Sequence, residues 1–480
     1  MKQTKQPGTN SSASQTDANS PASQPGTSTS AKQQGASQTA KPQGTNHHMQ
    51  VEWKKEITSA KNIPAKNASI ADKTSIICHL AAMFLKSGAG GWRVRDAANR
   101  ASAALGVTST ISVGLTDIEC TVHEGGNILS QTIVIPDSGV NTNLMLDLDD
   151  FLKTIDEKGD QLSVHDYHSK MDAIGAKRQL YSPAVSALAS AFACGAFTFL
   201  LGGGPLEMLC AFIGAGLGQL TRKLALGNKL NQLLAATLGV IVACASYVFA
   251  LYLISFVYPD AMQHQMGYIG AMLFVIPGFP LITAALDMYL FDMRSGIERL
   301  TYAVLVIAVS TLIAWLLALA FQLHPGEFIS YELPEGAMLV LRFIGAFVGV
   351  FGFSIMFNSP VKVAFIAGAI GAVADTTNLE FVNYFSVAPE IGAFTGALIA
   401  GLLSGAVCKA TNCPRTVITV PSIVIMIPGL YMYKAMFYMA SFETGDAATC
   451  LIRAVMVVVF LPIGLCIARA LTDPHWRHTS

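Results

Sequence analysis

Long apolar stretches, separated by short polar ones, follow one another from Tyr181 almost to the end of the chain. There are ten of them, and most approach the roughly 20 residues that a helix needs to cross a bilayer. They cover residues 183–201, 205–220, 230–256, 267–287, 300–322, 335–357, 361–375, 389–408, 416–437 and 448–470. The second and seventh are shorter, as is typical of helices that are tilted or partly buried in a bundle. The pattern predicts an all-α polytopic membrane protein with ten transmembrane helices.

Before residue 181 the pattern is first polar and then a mixture of apolar and polar positions, which predicts two further regions of the chain. Residues 1–50 are mostly small and polar, and a segment with so few large apolar side chains cannot bury a core, so a disordered low-complexity tail is expected. Residues 51–180 instead alternate between the spacing of amphipathic helices and that of short strands, which predicts a small soluble α/β domain. Its expected order is ααβββαα, with helices over 70–87, 92–105, 144–155 and 162–174 and strands over 109–114, 117–123 and 130–135.

Two Pro-Gly pairs interrupt the apolar stretches. Pro277 and Gly278 lie within the fourth stretch, and Pro428 and Gly429 lie within the ninth. Both residue types break helices, and in lipid the freed backbone groups must be satisfied by other protein groups or by a water-lined cavity. Interrupted segments in matching places of two halves point to a transport site, whereas a simple packing kink is the alternative explanation.

The two halves of the membrane part also resemble each other. The Pro-Gly pairs are 151 residues apart (428 − 277 = 151), and the run Gly202–Pro205 has a counterpart in Asn358–Pro360 at a similar offset. These matches predict a repeat of five helices, and an odd number reverses the second copy, giving a 5+5 inverted repeat. Chance similarity between helices rich in small residues is the alternative. The expected domains are a tail at 1–50, an α/β domain at 51–180, and membrane repeats at 181–325 and 326–473.

Charge is scarce and unevenly distributed. Charged residues make up 13% of the chain, against about 25% in soluble proteins, and the zero net charge gives no reason to expect nucleic acid. Loops after even-numbered stretches carry lysine or arginine, while those after odd-numbered stretches carry none. The positive-inside rule then places both termini in the cytoplasm of a multi-pass protein of the cell membrane. The nine cysteines show no CxxC spacing, so we predict no metal, cofactor or disulfide framework.

Several short motifs resemble those of the threonine/serine exporter family of bacterial and fungal membrane proteins. They are Lys86-Ser87-Gly88-Ala89, Trp92-Arg93-Val94, Leu200–Gly204, Pro277–Pro280, Asp287, Asp292, Gly296, Arg299, Pro421, Pro428-Gly429-Leu430, Tyr433 and Lys434. The resemblance implies ten spans, a cytoplasmic N-terminal domain and export of small amino acids coupled to an ion gradient, with protons as the expected ion. A related branch of the same superfamily is thought to export dicarboxylates.

The breaks also suggest a binding chemistry. A broken helix offers free N–H groups at the start of one half and free carbonyls at the end of the other, which suit the carboxylate and ammonium groups of an amino acid. The predicted substrate-binding residues are Pro277, Gly278, Thr283, Asp287, Pro428, Gly429, Tyr433 and Lys434. Asp287 and Lys434 are also the predicted proton-coupling residues, because ionisable groups inside a membrane are seldom structural. The alternatives are that Lys434 extends to the outer interface and that Tyr433 is an interfacial aromatic.

For other polar residues we expect structural roles. Glu207, Arg342 and Glu390 lie at the ends of stretches and are expected to be paired or interfacial charges. Four histidines of the α/β domain lack metal-ligand spacing and are expected to be ordinary surface or core residues: His79, His123, His165 and His168.

The predicted function is a secondary transporter, an antiporter that exports threonine or serine. Its partners are the small amino acid, the coupling proton and the lipid bilayer, and self-association to a homo-oligomer is left open. A dicarboxylate exporter is the first alternative, although one aspartate and one lysine at the site favour a zwitterion over a dianion. A membrane-anchored enzyme is the second alternative, and the sequence offers no catalytic constellation for it.

Overall fold

A computed structural model describes residues 51–55, 57–58, 63–135, 139–323, 326, 328–329, 333–411 and 413–477. The expected disordered tail, residues 1–50, lies outside the described residues. The described part is mostly helical, with a small sheet near its N-terminal end.

The N-terminal α/β region has the expected order of elements. They are α1 (Ile70–Lys86), α2 (Gly91–Leu105), β1 (Thr108–Val113), β2 (Asp117–Glu124), β3 (Asn127–Val134), α3 (Thr142–Lys158) and α4 (Val164–Gly175). The strands form one antiparallel sheet in the order β1-β2-β3. Alternate residues of β2 are buried, and this face packs against α1. Helix α3 begins two residues before its expected start, because the Asn141 side chain accepts a hydrogen bond from Leu144 N at 3.1 Å and caps it.

The membrane part consists of long helices and two interrupted ones. The helices are α5 (Pro183–Leu200), α6 (Pro205–Gly227), α7 (Gln232–Ser255), α8 (Tyr268–Met272), α9 (Gly278–Tyr289), α10 (Met293–Ala320), α11 (Glu335–Met356), α12 (Val361–Asn383), α13 (Pro389–Thr411), α14 (Arg415–Ile423), α15 (Gly429–Ala440) and α16 (Thr444–Thr472). Single 3-10 turns at Leu273–Val275 and Val424–Met426 extend α8 and α14 towards the two Pro-Gly pairs.

Six of the described helices are long and apolar enough to cross a membrane: α5, α7, α10, α11, α13 and α16. The segments Gln265–Val275 and Gly278–Tyr289 form a bent pair with an angle of 56°, and Arg415–Met426 and Gly429–Ala440 form another with an angle of 44°. Counting each bent pair as one span gives eight spans in the described residues. The chain is therefore a multi-pass membrane protein, and the count of ten stays a prediction.

The two remaining helices, α6 and α12, coincide with the second and seventh apolar stretches. Both continue well beyond those stretches, to Gly227 and Asn383, because helical structure extends through polar residues that a search for apolar runs does not include. Their polar content keeps them below the hydropathy of the other spans. Helix α5 packs against both α6 and α11, and so joins the first membrane half to the second.

The contact between α5 and α11 depends on a small residue. A Cβ atom added at Gly352 of α11 would lie 2.6 Å from the carbonyl oxygen of Ala189 in α5, so the two backbones approach too closely for any side chain there. Such contacts between small residues are typical of membrane helices, whose association depends on close packing rather than on the hydrophobic effect.

Candidate functional site

The two Pro-Gly breaks have the same local structure. Pro277 has φ −80° and ψ 63°, and Pro428 has φ −79° and ψ 52°. In both, the glycine N–H donates to the carbonyl of the preceding isoleucine at 2.8 Å, and a twelve-residue helix follows. The predicted helix breaks are therefore present, with the same backbone in each half.

The breaks also meet in space. A Cβ atom at Gly429 would lie 2.5 Å from Cδ1 of Ile276, the residue before the first break. Reciprocally, a Cβ atom at Gly278 would overlap Cδ1 of Ile427, the residue before the second break. Each glycine thus makes room for the isoleucine of the other half, and a reciprocal contact of this kind is typical of a two-fold relation.

Two predicted site residues lie in the helices that follow the breaks. Thr283 is buried, and its hydroxyl donates to the carbonyls of Phe279 (3.0 Å) and Pro280 (3.2 Å) of its own helix. Tyr433 is buried in α15, and its hydroxyl is hydrogen-bonded to that of Tyr268 in α8. Tyr433 therefore links the second half to the first and is not an interfacial aromatic.

Lys434 and Asp287 are not brought together. Lys434 is half-buried in α15, and no ion pair joins it to Asp287 in the described part of the chain. Asp287 is fully buried at the far end of α9, where its Oδ2 accepts hydrogen bonds from the backbone N–H of Gly91 (2.9 Å) and from Ser295 Oγ (2.8 Å). Gly91 is the first residue of α2, so a membrane-helix carboxylate binds the positive N-terminal end of a helix in the α/β region.

Arg299 strengthens this junction from α10. Its Nε lies 3.5 Å from Asp287 Oδ2, and its two terminal nitrogens donate to the carbonyls of Gly88 (3.4 Å) and Ala89 (2.5 Å). The segment between α1 and α2, which carries the Ser87-Gly88-Ala89 motif, is therefore held by the arginine and the aspartate together. We call this contact the α2 junction.

Charges around the α2 junction extend it. Asp292 is buried and lies 3.0 Å from the guanidinium of Arg95; burial raises the pKa of Asp292, and Arg95 opposes that shift. Glu298 accepts a hydrogen bond from Leu115 N at 2.7 Å, and Arg294 pairs with Asp117. The loop after α9 thus contacts α2, and the first two turns of α10 contact the region of the β1–β2 turn.

The C-terminal end of α16 reaches the same helix. The Trp476 ring lies 5.5 Å from that of Trp92 in α2, edge to face. The Arg469 guanidinium lies 3.8 Å from the Trp476 ring centre and 4.3 Å from that of Trp92. These cation–π contacts place the C-terminal segment and the α/β region at one end of the helix bundle.

A second junction lies at the turn between α11 and α12. Thr142, the first residue of α3, donates its backbone N–H to the carbonyl of Phe357 at 3.0 Å, and its hydroxyl lies 2.7 Å from Ser359 Oγ. Asn358 donates its side-chain amide to Asn141 Oδ1 at 2.8 Å. The α/β region is thus fixed to both membrane halves.

A cavity of about 260 Å³ lies between the α/β region and the first break. Its lining residues come from the α/β region, from α6, α7, α10 and the C-terminal end of α11, and from the segment Phe274–Pro280. Pro277 and Gly278 therefore face a cavity as well as the second break, and freed backbone groups in a membrane need a cavity or other protein groups to satisfy them.

The cavity is cationic. The described residues that line it include Arg222, Lys223 and Arg299 but no aspartate or glutamate. Gln219 also lines it: its amide nitrogen donates to Ser186 Oγ at 3.2 Å, while its buried Oε1 has no hydrogen-bond partner among the described residues. The lining thus combines positive charge with a free acceptor.

Sequence reasoning did not identify Gln219 and Arg222 as site residues. Both lie on α6, which contributes only general helical periodicity to the pattern, and no motif marks which of its faces meets the break. A lysine and an arginine next to each other looked like positive-inside loop residues. Only the packing of α6 against the α8 segment turns Gln219 and Arg222 towards the cavity.

Two polar pairs join residues that are far apart in the sequence. Glu207 is fully buried, and its Oε1 lies 2.6 Å from Nδ1 of the buried His264, so it is a paired charge, one of the two expected states. Arg342, similarly, lies 2.7 Å from Glu380. A glutamate just after a helix-starting proline and a histidine ahead of a broken span were the only available signals.

The α/β region contains a buried histidine pair. His79 Nδ1 lies 3.0 Å from His168 Nδ1, and the Trp53 ring is stacked on His79 at 4.7 Å. Burial lowers the pKa of His79 to about 3 and that of His168 to about 4, so both are neutral at physiological pH. Among the described residues no group of three His, Cys, Asp or Glu side chains has the arrangement of a metal site.

Two interrupted helices that meet beside a cavity, inside a bundle of membrane-spanning helices, are typical of transport proteins. A family model for threonine/serine exporters matches residues 75–322, and a second threonine/serine exporter model, ThrE, matches residues 342–471. The chain belongs to the threonine/serine exporter family, so the resemblance drawn from its motifs is confirmed. No curated protein and no solved structure matches it.

Proposed function

We propose that the protein exports threonine or serine across the cell membrane as a proton-driven antiporter. The observation that carries this is the meeting of the two Pro-Gly breaks beside a cationic cavity that also contains a free acceptor. Family membership favours a transporter over an enzyme.

The cavity supplies a partner for each end of a zwitterion. The substrate carboxylate pairs with Arg222 or Lys223, and the unpartnered Oε1 of Gln219 accepts a hydrogen bond from the substrate ammonium. The positive N-terminal end of α9, which begins at Gly278, adds to the binding of the carboxylate. Pro428 and Gly429 do not line this cavity; the second half supports the site through the contact of Gly429 with Ile276 of the first break.

Alternating access requires the halves to be related as an inverted repeat of ten spans. The support is local and consistent: the breaks have the same backbone, and Phe291 and Phe442, also 151 residues apart, have φ of 59° and 62°. With both termini in the cytoplasm, as the loop charges favour, the α/β region lies at the inner mouth and covers the cavity. Substrate then enters from that side.

Asp287 and Lys434 remain the proposed coupling residues taken from the sequence. Asp287 lies at the predicted cytoplasmic end of α9 and exchanges contacts with α2, so its protonation would weaken the α2 junction and open the cavity. An Asp287→Asn variant is expected to lose the pH dependence of export. Unchanged pH dependence would remove Asp287 from the coupling mechanism.

The decisive experiment is counterflow of labelled threonine in proteoliposomes that contain the full chain. Wild-type protein is expected to exchange threonine, and a Pro277→Ala/Gly278→Ala variant is expected to lose exchange while remaining in the membrane. The Gly401→Ala variant, whose Cβ would lie 2.5 Å from that of Ala468 between α13 and α16, away from the cavity lining, separates a packing defect from a site defect. Normal exchange by the break variant would rule out the breaks as the site.

A dicarboxylate is a second candidate substrate, because the cavity lining holds three cationic side chains and no carboxylate. A dianion would use Arg222 and Lys223 together and would not need Gln219. Labelled succinate and labelled threonine in the same proteoliposomes decide between them. A Gln219→Leu variant that loses threonine exchange and keeps succinate exchange would identify the ammonium contact.

A further inference from the structure

The buried pair formed by Glu207 and His264 lies apart from the cavity and from the α2 junction. Glu207 is in the first turn of α6, and its Oε2 accepts the backbone N–H of Gly204 at 3.0 Å. Its Oε1 lies 2.6 Å from His264 Nδ1. The glutamate is fully buried, and only 4% of His264 is exposed.

The contacts assign the proton on the ring. Because the other oxygen of the Glu207 side chain already accepts the backbone N–H of Gly204, we assign the contact between the side chains as a hydrogen bond donated by His264 Nδ1 to Glu207 Oε1. The Nε2 atom has no hydrogen-bond partner among the described residues. In this arrangement Nε2 is the ring nitrogen of His264 that Glu207 does not engage.

Few other titratable groups face the pair. Tyr247 of α7 donates its hydroxyl to the His264 carbonyl at 2.6 Å, and Cys210 lies one turn further along α6. The Tyr258 ring lies 6.5 Å from that of His264, and neighbouring Asp260 is exposed and accepts a hydrogen bond from Gln263. No lysine or arginine forms an ion pair with Glu207 among the described residues. Apart from the exposed Asp260, the nearby titratable groups are therefore hydroxyl and thiol groups.

The position of His264 connects it to the first break. It directly precedes the segment Gln265–Val275, which ends at Ile276-Pro277 and bends by 56° into α9. Within that segment, the Tyr268 hydroxyl bonds to Tyr433 of the other half. A change at His264 therefore acts on the short segment Gln265–Val275, and the other end of this segment lies where the two breaks meet.

We propose that Glu207 and His264 form the site where the driving proton binds, on the side of the membrane opposite the α/β region. His264 Nε2 takes a proton from the outer solution, and the resulting imidazolium is held by the Glu207 carboxylate, so the pair changes from one net negative charge to neutral. The proton gain shifts the segment Gln265–Val275 and with it the breaks. This rests on the proposed function as a proton-driven antiporter, and it places proton entry at a different site from Asp287.

The test uses Glu207→Gln in the full chain. Glutamine keeps the length and the acceptor for Gly204 N–H, so the start of α6 stays capped, but it removes the charge that holds the imidazolium. The matched control is Glu380→Gln, which removes a carboxylate from the pair with Arg342 at the same predicted side. Both variants are reconstituted in proteoliposomes, where uptake of labelled threonine driven by a pH gradient and threonine counterflow without a gradient are measured.

Glu207→Gln is expected to lower gradient-driven flux roughly tenfold, a loss of the size expected when the coupling between two sites is removed. Counterflow is expected to stay within about twofold of the wild-type value. Glu380→Gln is expected to leave both unchanged. The proposal would be overturned if gradient-driven flux survives in Glu207→Gln. It would also be overturned if gradient-driven flux and counterflow are lost equally, because that result would show a purely structural role for Glu207.

A measurement without transport separates this proposal from the proposed function. The imidazole resonances of His264, assigned with a His264→Asn variant, are followed against pH in wild type and in Glu207→Gln. A midpoint that differs between the two supports a shared proton site even if wild-type protein exchanges neither threonine nor succinate. Identical titration curves, or no titration, would overturn the site whatever the substrate.

Discussion

Replacing Asp287 with asparagine measures how firmly the α/β region is held against the membrane helices. The substitution keeps the shape of the side chain and one acceptor oxygen for Gly91 N–H and Ser295 Oγ. It removes the negative charge that lies 3.5 Å from Arg299 Nε in a fully buried position. The perturbation is therefore confined to one charge at the α2 junction.

The size of the expected destabilisation follows from the burial of Asp287 and from the hydrogen bonds that Arg299 keeps. At 3.5 Å the Coulomb attraction is about 5 kcal/mol at an effective dielectric constant of about 20, and part of it offsets the desolvation of the carboxylate. Losing one partner of a buried pair costs about 3–5 kcal/mol. Arg299 keeps its bonds to Gly88 and Ala89 carbonyls, so the lower end of that range, about 3 kcal/mol, is expected.

The assay is thermal unfolding of the full chain in detergent, followed by near-ultraviolet circular dichroism. A loss of about 3 kcal/mol corresponds to a decrease in Tm of about 3 °C for a chain of this size, because the entropy of unfolding scales with chain length. Ser295→Ala, which removes one hydrogen bond and leaves the charges, should cost about 1 kcal/mol. Asp260→Asn at an exposed position should stay within about 0.5 kcal/mol.

The double variant Asp287→Asn/Arg299→Gln provides the decisive comparison. Removing both charges relieves the uncompensated arginine, so the double variant should be more stable than the sum of the single variants predicts. If Asp287→Asn matches wild type within about 0.5 kcal/mol, or if the two changes are additive, the charge pair does not hold the α2 junction.

Three further predictions follow from other contacts. Gly91→Ala should destabilise the full chain by about 1–3 kcal/mol in thermal unfolding, although alanine favours a helix, because its Cβ would lie 2.8 Å from that of Ser295. Burial lowers the pKa of His79 to about 3 and that of His168 to about 4, so below about pH 6.5 the unfolded chain binds protons that the folded region does not. The stabilisation from the neutral pair is therefore fully present above about pH 6.5. Circular dichroism melts should show stability falling progressively from that pH towards pH 4. Arg222→Gln should raise the KM for threonine about tenfold in exchange assays with little change in kcat, since it removes a charge-assisted contact to the carboxylate.

The helices were predictable because their signals are local. The length of an apolar stretch fixes whether a helix can span, and the Pro-Gly pairs fix where two of the helices break. Boundaries were less accurate where polar residues continue a helix: α10 begins at Met293, although its apolar stretch begins near residue 300. The first two turns carry Ser295 and Arg299, which are buried by the α2 junction and so need not be apolar.

The candidate site was predictable only in part. Pro277, Gly278, Pro428 and Gly429 lie together as expected, because the breaks in the two halves share one backbone structure. The location of Asp287 was not foreseen: its carboxylate faces the first turn of α2, not the breaks. A charge at the end of a span looks the same in sequence whether it faces a cavity or another domain.

By itself, the sequence determined the multi-pass membrane class, the family and the two helix breaks, since hydropathy, helix breaking and short motifs are properties of neighbouring residues. Only the tertiary structure decided which side chains meet. Gly91 and Asp287 are 196 residues apart, and Glu207 and His264 are 57 apart, so their contacts depend on how whole helices pack. In a membrane, the burial of apolar surface between helices favours no packing arrangement strongly, because lipid is equally apolar. Polar contacts of this kind and close contacts at glycine therefore determine which helices pack together.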